Sequence, residues 1–318
     1  MLRHVIRKLL MMIPLLFLIS IILFVLISML PGDAVLSMIG DSGDIEYIEQ
    51  LREQIGLSKP LHMQYIDWIS NLFKGNMGRS ILTRQPVANI VKVRLPVTLE
   101  LTLLAILFSM LIAIPAGILS AVKRNSTWDV VTSVASMFGI AMPPFWIGIL
   151  VIMMFSLKLN WFPASGFVPF WQDPIANLRS LAMPAFTIGL AFAATIMRQT
   201  RSAFLEILSQ DYITTARAKG LRERIVLWKH AFRNALIPII TVISMQMGRL
   251  IGGSVVTETV FALPGVGREI ADGLLSRDYP VVMSMILITA VFVVVTNTVV
   301  DLMVVFIDPR ISRATAKG

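Results

Sequence analysis

The chain has 318 residues, 56% of them hydrophobic and 15% charged, with a mean hydropathy of +0.78. That composition fits a polytopic membrane protein and excludes a large soluble core, and the lack of cysteine excludes disulfides and thiolate metal sites. The net charge of +9 would suit a nucleic-acid binder, but the bases sit in short loops between apolar spans, so no nucleic-acid partner is expected.

Arg3, Arg7 and Lys8 precede an apolar stretch at 9–30. It is longer than the core of a secretory signal and no small-x-small cleavage site follows, so it is expected to stay as a first membrane helix. Further stretches of bilayer-crossing length, about 20 residues or more, lie at 97–122, 130–157, 179–197, 236–257 and 281–307. The expected fold is therefore all-α, with six transmembrane helices and both termini on one side. Segments 1–8, 123–129, 198–235 and 308–318 hold 16 of the 28 Lys and Arg residues, while 31–95 balances seven bases with seven acids. The excess of bases places the termini and 198–235 in the cytoplasm. The expected organisation is 1–30 as cytoplasmic N-terminus and first helix, 31–95 as an extracytoplasmic domain, 96–307 as a five-helix core and 308–318 as a cytoplasmic tail.

Within 31–95, Ile48, Leu51 and Ile55 share a face of a short helix closed by Gly56. Pro60 suits the first turn of another helix, on which Leu61, Tyr65, Trp68 and Leu72 share a face. The run GNMGRS from Gly75 to Ser80 lacks the Lys and the strand of a phosphate loop and reads as a surface turn. Met142-Pro143-Pro144 interrupts the third span and Pro184 lies in the fourth, each freeing a carbonyl and kinking the helix. Between those spans Trp161, Phe162, Phe167, Phe170 and Trp171 read as interfacial anchors, or as the mouth where cargo arrives.

The segment from Asp211 to Pro238 reads as two short amphipathic helices around Gly220. Phe204, Leu208, Tyr212 and Ala216 recur every fourth residue, and Leu221, Ile225, Trp228, Phe232 and Ala235 at alternating four and three. Gly220 suits the left-handed backbone that ends the first helix. Such a basic hairpin can dock on a soluble partner or lie on anionic lipid.

In span five, Arg249 is a charge well inside the membrane. It reads either as a cavity-lining group that attracts a cargo carboxylate or as a cation paired with a neighbouring acid. Gly248, Gly252 and Gly253 permit close helix approach, and Met142, Met245 and Met247 offer adaptable apolar contact. Met142, Pro143, Met245, Arg249 and Gly252 are thus the candidate pathway residues. Asp301 in the last span is expected to pair with a base, and Glu100 to be interfacial. His4, His62 and His230 are scattered, and neither a nucleophile elbow nor a GxxxxGK[ST] nucleotide loop occurs, so the chain is not expected to be an enzyme.

Asp211, Tyr212, Thr215, Ala216, Arg217, Ala218, Lys219 and Gly220 match a D-Y-x-x-T-A-R-A-K-G run. By it the chain resembles bacterial ATP-binding-cassette importer permeases of the peptide/nickel type. It departs from the generic Glu-Ala-Ala loop of importer permeases in having Thr214, Thr215 and Ala216, which favours the peptide-type branch over sugar or amino-acid permeases. Two further segments carry the likeness: the PGD…Ile55-Gly56-Leu57…PLxxQYxxW…GxxGRS region, and VFALPGVG…RDYP with Leu263 where Trp is usual.

The resemblance implies a type I importer permease fold in a bacterial inner membrane, with segment 198–235 coupling to an ATPase through Asp211, Tyr212, Ala216, Arg217, Ala218, Lys219 and Gly220. It implies a second homologous permease, two ATPase subunits and an extracytoplasmic solute-binding protein as partners, besides membrane lipid. ATP and Mg would sit on the ATPases, with no cofactor on this chain. Di- or oligopeptides, glutathione, nickel or metal chelates and opines are the cargo classes such permeases carry. An ion-coupled transporter or channel, the rival class, would want buried acids and often inverted repeats.

Overall fold

A computed structural model describes residues 2–30 and 58–307, and among them it is helical apart from loops and one isolated bridge between Arg79 and Pro86. The expected Ile48–Leu51–Ile55 helix and the 308–318 tail lie outside the described residues, as do the side chains of Arg249 and Asp301. In chain order the helices are α1 (Leu2–Ser28), α2 (Leu61–Phe73), α3 (Val87–Val122), α4 (Thr127–Ala141) and α5 (Pro144–Lys158, π-helical from Ile152). There follow α6 (Pro174–Leu208) and α7 (Asp211–Ala218). A short α-helical piece, Glu223–Ile225, and a π-helical stretch, Val226–Phe232, lead without a break into α8 (Arg233–Gly253). The last are α9 (Val255–Val260), α10 (Val266–Leu275) and α11 (Tyr279–Ile307).

Among the described residues five helices are long and apolar enough to cross a membrane, and α4 with α5 makes a sixth candidate span. The third span, expected as one interrupted stretch over 130–157, is two helices bent by 102°. Two consecutive prolines explain the size of the bend. A residue ahead of proline is driven to extended backbone, and Met142 (ψ 127°) and Pro143 (ψ 134°) both take it. Pro144 then opens α5, where its missing N–H costs nothing.

Other expected boundaries also move. The second span's helix starts at Val87 and not at 97, the fourth continues to Leu208 and not 197, and the fifth is preceded by helix from Glu223. Hydropathy ends where charge begins, but a helix does not end there if its charges find partners. Arg94 bonds Glu269 at 2.8 Å and Arg201 bonds Asp129 at 2.7 Å. Where span five was expected to run to 257, Ser254 separates α8 from α9.

The centre is the α3–α6 pair, whose interface carries buried Val97, Leu101, Ala105, Leu181, Ile188 and Ile196. Close approach there needs glycine. A Cβ on Gly117 would sit 2.7 Å from the Met197 carbonyl oxygen, and one on Gly189 2.9 Å from the Phe108 ring. Ser109 Oγ donates to the Gly189 carbonyl at 2.8 Å, tying the two backbones. On the periphery, Leu23 and Phe24 of α1 meet Met283 of α11, and Tyr65 and Trp68 of α2 close the cluster, as their shared face predicts. Leu61, expected on that face, is exposed.

Candidate functional site

The hairpin forms around Gly220 (φ +76°), and α7 ends there in a Schellman motif. The Leu221 N–H reaches the Ala216 carbonyl and the Gly220 N–H the Arg217 carbonyl, which uses two of the helix's orphan acceptors. Its second arm is not the expected short helix but the extension of α8, so the hairpin is continuous with span five.

The expected single apolar stripe is also divided. Ile213, Ala216 and Val226 are buried in an inner seam with Phe204, Ala231 and Ala235. Tyr212 (43% exposed), Leu221, Ile225 and Trp228 (56% exposed) face outward instead. A break at Ser209–Gln210 separates α6 from α7, and within α7 it is Ile213 and Ala216 that turn inward, while Tyr212 in the first turn stays exposed. Asp211, Arg217, Ala218, Lys219 and Gly220 are exposed, and Ala216 alone of the candidate coupling residues is buried.

Arg217 is one of the expected coupling residues. It is engaged within the chain: its guanidinium makes a two-pronged contact with Glu223, at 2.7 and 3.1 Å. Those hydrogen bonds hold Arg217 above its ordinary pKa. The Tyr212 hydroxyl accepts from Asn234 Nδ2 at 3.0 Å, a second strut between the arms. Arg224, Ile225, Trp228 and Lys229 line an open depression on the outer side.

A second polar cluster lies just inside the hairpin. Asp129, in the first turn of α4, takes the Arg201 fork of α6 at 2.7 and 2.9 Å, Ser120 Oγ of α3 at 2.5 Å and the Asn125 N–H at 2.9 Å. Asp129 was not among the residues the sequence singled out. No spacing could link it to Arg201, since the two share no helix.

The candidate pathway residues fall on two elements. Met142 and Pro143 form the α4–α5 bend, whereas Met245, Arg249 and Gly252 lie on α8. α4, α5 and α8 all pack on α6. Met142 is partly buried against the core and Met245 is 69% exposed, so the structure does not gather these methionines into one lining. Gly248 does mark a close approach, since a Cβ there would lie 3.3 Å from Val293 of α11.

The VFALPGVG segment surrounds Glu258, which sequence reading passed over. The carboxylate is fully buried and accepts from Ser254 Oγ (2.6 Å), Thr98 Oγ1 (2.8 Å) and the Arg268 N–H (2.8 Å) in the first turn of α10. A carboxylate at a helix N-terminus meets free N–H groups and the positive end of the dipole. Gly265 and Gly267 leave the room it needs, for a Cβ on either would fall 2.2 or 3.1 Å from the carboxyl group. In the RDYP run, buried Asp278 accepts from the Ser80 hydroxyl and from the Ile81 N–H at 3.0 Å, which ties GNMGRS to the start of α11. Glu100, expected to be interfacial, accepts from Asn177 Nδ2 at 2.8 Å. Among the described residues no group of His, Cys, Asp and Glu could hold a metal ion.

Residues 113–313 match the family described as binding-protein-dependent transport system inner membrane component, and residues 1–102 match the N-terminal portion of such components. The chain belongs to this family. It is a permease subunit of an inner-membrane transport system and not itself the catalyst. It is 42% identical over 299 residues (94% of this chain, 95% of the relative) to a putative peptide transport system permease of Brucella suis. To the glutathione transport system permease GsiC of Escherichia coli it is 40% identical over 311 residues (98% and 99%). To the oligopeptide transport system permease AppB of Bacillus subtilis it is 41% identical over 311 residues (97% and 98%). The fold is similar to that in an inward-facing structure of the MetNI methionine ABC transporter, with TM-score 0.57 and 18% identity over 69% of this chain and 96% of that one.

Proposed function

We propose that this permease lines part of the route by which an ATP-driven importer carries peptides or related small solutes such as glutathione. The hairpin carries this reading: a Schellman-capped turn presents exposed Tyr212, Leu221, Ile225 and Trp228 among bases while its own seam is full. An outward apolar face on a rigid basic frame suits the groove of a soluble subunit. The names of the relatives supply the cargo class.

In this reading both termini and the hairpin are cytoplasmic, and 31–95 with the aromatic loop at 161–171 is outside. The partners are a second homologous permease, two ATPase subunits that bind ATP and Mg, a solute-binding protein outside, and lipid. Asp211, Tyr212, Lys219 and Gly220 sit at the ATPase contact, Arg217 stiffens the hairpin, and Ala216 fills its seam. ATP closes the ATPase dimer, the hairpin follows as a rigid body, and the spans pass from inward-facing to outward-facing. Nucleotide thus biases a bistable element. Met142, Pro143, Met245, Arg249 and Gly252 border the route.

The test is uptake of di- and oligopeptides and of glutathione by proteoliposomes that hold the permease with the subunits encoded beside it. ATP-dependent accumulation that needs the binding protein is the expected result. Accumulation driven by an ion gradient without ATP would overturn the reading.

A further inference from the structure

The hairpin and the α4–α5 bend are joined by an unbroken set of contacts. Phe204, fully buried on the last turns of α6, belongs to the same apolar cluster as Ile213, Ala216 and Val226 of the hairpin seam, and its ring lies 6.3 Å from that of Phe232. One turn back along α6, Arg201 grips Asp129 with both prongs of its guanidinium, a contact that fixes direction as well as distance. The same carboxylate holds Ser120 on the last turn of α3 and the Asn125 N–H of the α3–α4 turn. One buried group therefore ties three helices together at the hairpin end.

Beside this clamp α3 and α6 are in near-contact. Gly117 lies so near α6 that an added Cβ would be 2.7 Å from both the Met197 carbonyl oxygen and Thr200 Cβ. Along α4 the helical ladder is next interrupted at its far end. There Met142 and Pro143 are extended, and Pro143 and Pro144 have no N–H with which to continue the helix. A push on the hairpin that cannot be absorbed at α6, α3 or the first turn of α4 reaches the bend.

We propose that Asp129 and Arg201 are positioning residues that carry displacement of the Gly220 hairpin to α4, so that the angle between α4 and α5 changes with nucleotide. The proposal rests on the hairpin being the ATPase contact. It names the two-state element that both ends bias, which coupling through a contact network requires. A pair that only stabilised the fold would have no effect on how the bend responds.

The chain's lack of cysteine permits a direct test by spin labelling. Labels go on exposed Met137 of α4 and Leu157 of α5 in the full complex, and their separation is measured without nucleotide and with ATP and vanadate. In the otherwise wild-type complex the separation should shift on trapping. In Asp129→Asn the shift should be lost or shrink several-fold, and Arg201→Lys, which keeps the charge but not the fork, should fall between. If Asp129→Asn does not assemble, Arg201→Lys carries the test alone. A bend that does not respond to nucleotide would overturn the proposal. So would a full shift in whichever variants assemble, including one at reduced yield, which would mark the pair as structural only. A further label pair, at Lys219 and on the ATPase subunit, reports separately on the hairpin reading: no proximity there refutes that reading whatever the bend does.

Discussion

Arg217 and Glu223 face each other across Gly220, with Nη2 2.7 Å from Oε1 and Nε 3.1 Å from Oε2. The pair staples the two arms of the hairpin on its outer side, while Ile213, Ala216 and Val226 close it on the inner side. Both partners are about half exposed, 43% and 51% by side chain. An exposed pair of this kind contributes about 0.2–1 kcal/mol. Glu223→Gln should therefore leave the amount of inserted protein unchanged, weaken hairpin order, and cost less at high salt. A double-mutant cycle with Arg217→Gln, read by amide exchange across 211–225, checks this. A coupling energy near zero would remove the staple from the account.

Ala216 and Gly220 should fail in different ways. Ala216 is buried in the seam, so Ala216→Asp puts a carboxylate where no polar partner waits, at a cost of several kcal/mol if it stays ionised. The hairpin itself should open, and protease should cut it. Gly220 has open space around it but a left-handed backbone, so Gly220→Val costs about 1–2 kcal/mol of backbone strain and no clash. That variant should insert and resist protease, yet lose ATP turnover stimulated by the binding protein. Equal protease sensitivity in the two would contradict the distinction.

Glu258 should matter for stability far more than a surface acid does. Glu258→Ala leaves the Ser254 and Thr98 hydroxyls and the Arg268 N–H with a lost partner, at about 1–3 kcal/mol for each buried group left unsatisfied. Gly265→Ala should act alike, because its Cβ would overlap the carboxyl group. Thermal unfolding of the purified protein in detergent should show a large fall in Tm for both, and little change for Glu206→Ala, whose side chain is exposed. An unchanged Tm in Glu258→Ala would mean the network is not formed.

What sequence could and could not yield follows from the range of the forces involved. Apolar length marked the spans, and basic residues around a glycine marked the hairpin, because both are local signals. Tyr65 and Trp68 were placed on one face by spacing alone, and they pack as that spacing requires. Tyr212 was misplaced because the four-residue repeat was carried across the break at Ser209–Gln210, whereas within α7 it is Ile213 and Ala216 that turn inward. Met142-Pro143-Pro144 announced an interruption, but its 102° size depends on how both prolines hold their predecessors. Asp129 with Arg201 and Glu258 with Thr98 are contacts between distant helices. A lone acid near a span end looks alike whether it faces lipid headgroups or three donors. The spacing of Gly265 and Gly267 around a buried carboxylate is the one local trace Glu258 leaves.

The central claim is that the tip of this hairpin seats on an ATPase subunit and moves with it. Lys219, exposed beside the Gly220 turn, is the place to ask. With a single cysteine at 219 in the assembled complex, a short bifunctional crosslinker should join permease to ATPase in high yield, and the yield should hold through the ATP-bound and vanadate-trapped states. A permease that assembles and transports, yet never crosslinks from 219 to the ATPase in any state, would contradict the account.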